Sequence, residues 1–179
     1  PPSAPFDTFE SYLHVVLPFA DIRGGSENCD ILIVGCGTGQ HAIDVARRSK
    51  DARVLAIDLS LASISYARRK TRALGITNVE YGQADILAAR TIGRRFDVIE
   101  SGGVLHHLDD PMEGWRALLA LLRPGGFMYL GLYSALARQS VTAVRAFVAE
   151  HGYQPTAEDI RRFRQDLVTI DHGLTLGNL

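Results

Sequence analysis

Four apolar residues, Ile31-Leu32-Ile33-Val34, run without a break into Gly35-Cys36-Gly37-Thr38-Gly39. No other feature restricts the fold of this 179-residue chain as much. An apolar run without alternation suits a strand covered on both faces, and such strands belong to parallel sheets. Ala42, Ile43 and Ala46 then keep helical spacing. The expected unit is strand, tight glycine turn, helix.

The unit repeats. Arg53 to Ile57 reads as a second strand, and Ser60 as the cap of a helix with Leu61, Ile64, Ala67 and Leu74 on one face, stopped by Gly75. Asn78 to Tyr81 is a short third strand and Phe96 to Ile99 a fourth. Asp110-Pro111 opens another helix, as cap and first helical residue. Trp115, Leu118, Leu119 and Leu122 mark its expected buried face. Arg123-Pro124-Gly125-Gly126 reads as a hard stop before a fifth strand, Phe127 to Tyr133. Alternating strands and helices need crossover connections, hence a parallel sheet with helices on both faces.

The flanks differ. Phe6, Phe9, Leu13, Val16 and Leu17 predict a helix before the sheet, closed by Pro18. After Ser134, Val141, Val144, Phe147 and Val148 form one helical stripe. Thr156 with Asp159 resembles a capping box ahead of a second stripe, Ile160, Phe163 and Leu167. The expected division is an N-terminal helical arm or lid over 1–24, an α/β core over 25–134, and a helical segment over 135–179 that reads as a truncated insertion. The core is a doubly wound, mainly parallel Rossmann-like sheet of five recognisable strands.

Composition removes several classes. Nineteen Lys and Arg stand against 20 Asp and Glu. A charge of −1 gives no support for binding nucleic acid or an anionic membrane through bulk charge. No apolar run approaches the roughly 18 residues of a membrane span. Cys29 and Cys36 fit neither a metal site nor a disulfide framework, so no metal and a reduced, cytoplasmic setting are expected. The start, PPSAPFDTFE, lacks the order of a secretion signal.

The glycine turn carries the clearest chemistry. Glycines let backbone approach a ligand where a Cβ would clash. The helix beyond offers N–H groups and a positive dipole end to an anion. The spacing is G-x-G-x-G, with Gln40 where a dinucleotide fingerprint needs its third glycine. Asp58 ends the second strand about 20 residues on, where an acid can accept bonds from ribose hydroxyls. Its bland role is a helix cap. Asp85 and Ile86, after the third strand, suit an adenine amino group and ring; a turn-capping aspartate is the alternative.

These segments together resemble class I S-adenosylmethionine-dependent methyltransferases. The matching stretches are ILIVGCGTG (31–39), LAID (55–58), QADI (83–86), FDVIESGGVLHHLDDP (96–111) and LLRPGGFMYL (121–130), in the family's order. A finer resemblance is to methyltransferase domains of bacterial tetratricopeptide-repeat proteins. The resemblance implies that S-adenosylmethionine is the cofactor. Gly35, Cys36, Gly37, Thr38 and Gly39 would lie under its methionine part. Asp58 would hold the ribose, Leu59 would flank the adenine, and Asp85 with Ile86 would hold it. Ser101 and Gly102, after the fourth strand, would border the sulfonium.

Two departures stand out. The family carries an acid two positions before the first motif glycine, near the cofactor's amino end; here that residue is Ile33. Its sheet also ends in a reversed strand pair, which no pattern after Tyr133 supplies. A homodimer or swapped edge is the expectation for the open side.

Methyl transfer from a sulfonium needs alignment and exclusion of water more than acid–base work. A base helps when the acceptor carries a proton. His106 and His107 lie just past the fourth strand, and either is a candidate catalytic base; the competing reading is one histidine holding the loop and the other in solvent. Glu100 is a further polar contact or a satisfied strand-end carboxylate. Cys36 reads as a small filler. The leading function is methyl transfer to a small-molecule or side-chain acceptor. The alternatives are a cofactor-binding module without turnover and an NAD-dependent dehydrogenase.

Overall fold

A computed structural model of the chain describes residues 28–49 and 51–171. The helix expected over Phe6–Leu17 and the arm over 1–24 lie outside the described residues. The chain divides at Leu132/Tyr133 into two compact units.

The first unit is a five-stranded sheet: β1 (Asp30–Val34), β2 (Arg53–Asp58), β3 (Val79–Gln83), β4 (Phe96–Gly102) and β5 (Leu122–Gly131). Its order is β3-β2-β1-β4-β5, every pair parallel. The order reverses between β1 and β4. At such a point neighbouring connections leave the sheet on opposite faces and open a crevice beyond the strands' carboxyl ends.

The alternation of side chains along the strands explains the two cores. Ile31, Ile33, Val54, Ala56 and Val98 face one side with Ala42, Val45 and Ala46 of helix α1 (Gln40–Arg48) and Ile64 and Ala67 of helix α2 (Leu61–Ala73). Leu32, Val34, Leu55, Ile57 and Ile99 face the other, with Leu105, Leu118 and Leu121. Leu118 lies on helix α3 (Pro111–Leu119). Both expected caps form: Ser60 Oγ accepts from the Ser63 N–H at 3.2 Å, and Asp110 Oδ1 from Met112 N–H at 2.8 Å.

Four expectations are corrected. The helix faces are narrower than the spacing implies: Leu61, Leu74 and Leu119 are more than half exposed, and Trp115 is partly exposed. Thr71 is buried on α2 instead, its hydroxyl bonded to that of Tyr81 at 2.8 Å. β4 runs three residues past Ile99, so Glu100, Ser101 and Gly102 belong to the strand, paired with Tyr129, Leu130 and Gly131. Arg123-Pro124-Gly125-Gly126 does not precede β5 but bulges within it, because the register jumps from Phe96↔Leu122 to Val98↔Phe127. The bulge turns Arg123 towards Asp30 and Asp97. β5 ends at Gly131, not Tyr133.

The second unit holds helices α4 (Gln139–Glu150) and α5 (Ala157–Asp171). Thr156 Oγ1 accepts from the Asp159 N–H at 3.1 Å, which is half of the expected capping box. The Asp159 carboxylate instead accepts from Gln154 N–H at 2.9 Å. Phe147 stacks on His151 and meets Tyr153 and Phe163, an aromatic cluster that joins the two helices. No strand follows Gly131 among the described residues.

Candidate functional site

The glycine turn leaves β1 at the switch point. Gly35 and Cys36 both donate backbone N–H groups to the Ile57 carbonyl, at 2.8 and 3.0 Å, which ties the turn to β2. Gly35, Gly37 and Gly39 all have positive φ. A Cβ on Gly39 would meet Ala67 Cβ at 2.6 Å and Tyr81 OH at 3.0 Å, so this glycine lets α1 close onto α2. Among the described residues a Cβ on Gly37 would meet nothing within 4 Å. The first glycine role is internal packing; the second leaves a bare backbone cradle facing open space. Gly39 caps α1 without a side chain, so no side chain occupies that helix start.

Asp58 stands at the end of β2. Its Oδ2 accepts from the Gly37 N–H at 2.7 Å and its Oδ1 from the Ser60 N–H at 2.8 Å. One carboxylate therefore fixes both the cradle and the start of α2. Leu59, beside it, is 65% exposed, an apolar side chain held in solvent. Gln83 Nε2 donates to the Leu59 carbonyl at 2.9 Å and joins the β2 and β3 loops. Asp85 is exposed and its Oδ1 accepts from the Leu87 N–H at 2.9 Å, the turn-capping geometry. Ile86 is buried among the second core, with Leu105 and Leu118. Thr38 is exposed, and Cys36 is buried, its thiol pushed up to about 11 by that burial; it is no nucleophile at neutral pH.

β4 brings the remaining groups. Ser101 is fully buried, and its Oγ has no hydrogen-bond partner among the described residues. Gly102 is exposed. His106 and His107 share a 3-10 turn, Leu105–His107, with ring centroids 4.3 Å apart. His107 is exposed and His106 half-buried. A Cβ on Gly35 would lie 2.2 Å from Val104 Cγ2, so the glycine turn touches the segment that carries the histidines.

One pairing escaped the sequence reading. His41 Nε2, in the first turn of α1, bonds Glu100 Oε2 of β4. Glu100 is 5% exposed, while the His41 side chain is 56% exposed. The hydrogen bond to Glu100 raises the His41 pKa above its ordinary value, against the opposing effect of burial. The two residues lie 59 apart in sequence and meet only because β4 lies beside β1. No spacing rule marks them. Among the described residues no group of three or more metal-ligating side chains occurs, and no helix is long and apolar enough to cross a membrane.

The cradle, the exposed Leu59, the unbonded Ser101 hydroxyl and the acids at the carboxyl edge fit a nucleoside with an amino-acid tail. The family description "Methyltransferase domain" matches residues 31–126. A ubiquinone biosynthesis O-methyltransferase of Acinetobacter baylyi is 33% identical over 108 residues, covering 59% of this chain and 44% of that protein. An uncharacterised protein of Synechococcus is 31% identical over 120 residues, 66% of this chain and 29% of its own length. The chain thus spans less than half of the curated relatives it matches. Among solved structures, PKMT2 from Rickettsia typhi in complex with AdoHcy has a TM-score of 0.76 at 21% identity, over 94% of this chain and 33% of that one, a likeness of fold. The sheet order, the cradle and the family match place this chain among the S-adenosylmethionine-dependent methyltransferase domains.

Proposed function

We propose that the chain transfers a methyl group from S-adenosylmethionine to a small-molecule or side-chain acceptor. The observation that carries the reading is the open cradle at Gly37, pinned by Asp58 at the sheet's switch point. Gly35, Cys36, Gly37, Thr38 and Gly39 support the methionine part through backbone. Asp58 takes the ribose, Leu59 flanks the adenine, and Asp85 and Ile86 hold its far side. Ser101 and Gly102 border the sulfonium. Bound cofactor supplies a methyl group already activated for displacement.

The chain's own work is alignment and exclusion of water. Two residues bear on the proton. His106 and His107 lie next to the glycine turn through Val104, and one of them accepts the proton of an acceptor that carries one. An arm over 1–24, the core over 25–134 and the helical segment over 135–179 complete the reading. Kinship with methyltransferase domains of tetratricopeptide-repeat proteins, a cytoplasmic setting, a homodimer and no role on nucleic acid belong to the same proposal.

Equilibrium binding tests it. S-adenosylmethionine and S-adenosylhomocysteine should bind at micromolar concentration and NAD should not. Binding of NAD in their place would replace the reading with hydride transfer. A non-catalytic module would bind both sulfur compounds and methylate none of a broad set of acceptors.

A further inference from the structure

The amino-acid end of the cofactor carries an ammonium, and Ile33 stands where the resembling family has an acid. Ile33 is 2% exposed, locked in the first core. Asp58 is engaged by two backbone N–H groups, and Asp85 is exposed on the β3 loop. Glu100 is different. In the sheet its Cα is paired with that of Ile33. Paired residues of parallel strands project to the same face, so the carboxylate lies beside the position of the missing acid. Its Oε2 also bonds His41, which follows the glycine turn by two residues as Ile33 precedes it by two. Glu100 is therefore flanked by the residue two positions before the turn Gly35–Gly39 and bonded to the one two positions after it.

A buried carboxylate needs a cation or several donors. Among the described residues Glu100 has His41 alone, and that histidine is more than half exposed. We infer that Glu100 is the binding residue for the cofactor's ammonium, the acid having moved from β1 to the adjacent position on β4. His41 is its stand-in cation when that place is empty. The inference rests on the cofactor reading above.

The test deletes the contact from each side. S-adenosylhomocysteine and its analogue with hydrogen in place of the α-amino group are titrated calorimetrically into the chain and into Glu100→Gln, which keeps the shape and a bond to His41. The unaltered chain should bind the analogue roughly 10- to 100-fold more weakly, the range for a hydrogen bond to a charged group. Glu100→Gln should weaken S-adenosylhomocysteine by a similar factor and leave the analogue unchanged. Equal weakening of both ligands by Glu100→Gln, or of neither, overturns the inference while the cofactor reading stands. Equal affinity of the unaltered chain for both ligands also overturns it, without recourse to a variant. Failure of the unaltered chain to bind either ligand overturns both.

Discussion

The two ends of the sheet handle buried carboxylates in opposite ways. At the amino end, Asp30 is 4% exposed and surrounded. Arg53 makes two bonds to it, both 2.9 Å, and Arg123 a third at 2.8 Å. Arg94 stands 3.7 Å away. The Asp30 backbone N–H donates to Asp97 Oδ2 at 2.9 Å, an oxygen that Arg123 also reaches. At the carboxyl end, among the described residues, Glu100 is as deeply buried but has one half-exposed partner, Ser101 Oγ has none, and a Cβ on Gly37 would meet nothing within 4 Å. A saturated buried charge holds strands together. An under-satisfied one, beside bare backbone, is what the proposed ligand would complete. The contrast separates scaffold from site without reference to any relative.

The largest expected effect comes from the cradle's packing. Gly39→Ala places a Cβ against Ala67 at φ 86° and should cost about 3 kcal/mol of stability by combined clash and backbone strain, with binding lost. Thermal or urea unfolding measures it; a change under 1 kcal/mol would mean that the turn is not the close contact described.

Asp30→Ala breaks the closed end. It should destabilise by about 2 kcal/mol, below the usual cost of breaking a buried pair because the arginines keep water on their outer sides. S-adenosylhomocysteine affinity should not change. Burial works against the Asp30 charge, but the Arg53 and Arg123 bonds outweigh it and hold its pKa below the ordinary carboxylate value. A lowered folded pKa stabilises above the unfolded value, so this contribution is full above about pH 4 and is lost as the pH falls through the folded pKa. Acid unfolding of Asp30→Ala should accordingly be less steep than that of the unaltered chain.

Ser101→Ala sharpens the open end. Removing a buried hydroxyl with no partner should leave stability unchanged or raise it by about 1 kcal/mol. A loss of 2 kcal/mol would show that the hydroxyl serves the scaffold.

The smallest effect is the titration of His41. Glu100 on β4 and Asp44 on α1 favour its charged form, while burial and Arg48 oppose it. Its ring should titrate above about 6.5 by NMR and fall towards that value in Glu100→Gln. A raised folded pKa means that the pair's contribution to stability is complete below the unfolded value and fades as the pH rises through the folded one. An unshifted ring would remove the charged pairing from the account.

Much of this was legible in the sequence for physical reasons. Ile31–Val34 has no polar residue to break it, and a glycine turn of that spacing follows a buried strand. The parallel sheet followed from both. Ser60 and Asp110 announced their helices because capping is a local bond. The helix faces were less legible, since Leu61 and Leu119 keep helical spacing but are more than half exposed. β4 was cut short because Glu100-Ser101-Gly102 has no strand propensity; pairing with β5 carries it. The bulge at Arg123 depends on acids at the ends of other strands. His41 and Glu100 required the strand order itself. Asp58 was legible from its spacing past the glycine turn, whereas Ser101 came from resemblance; the structure adds the two backbone bonds of Asp58 and the burial of Ser101.

The most direct measurement is calorimetric titration of S-adenosylhomocysteine into Asp58→Ala and Asp30→Asn beside the unaltered chain, with unfolding followed on the same samples. The account predicts that Asp58→Ala loses binding while remaining folded, and that Asp30→Asn loses stability but keeps its affinity. Retained affinity in folded Asp58→Ala, or lost affinity in folded Asp30→Asn, would contradict the division of the sheet into a closed scaffold end and an open ligand end.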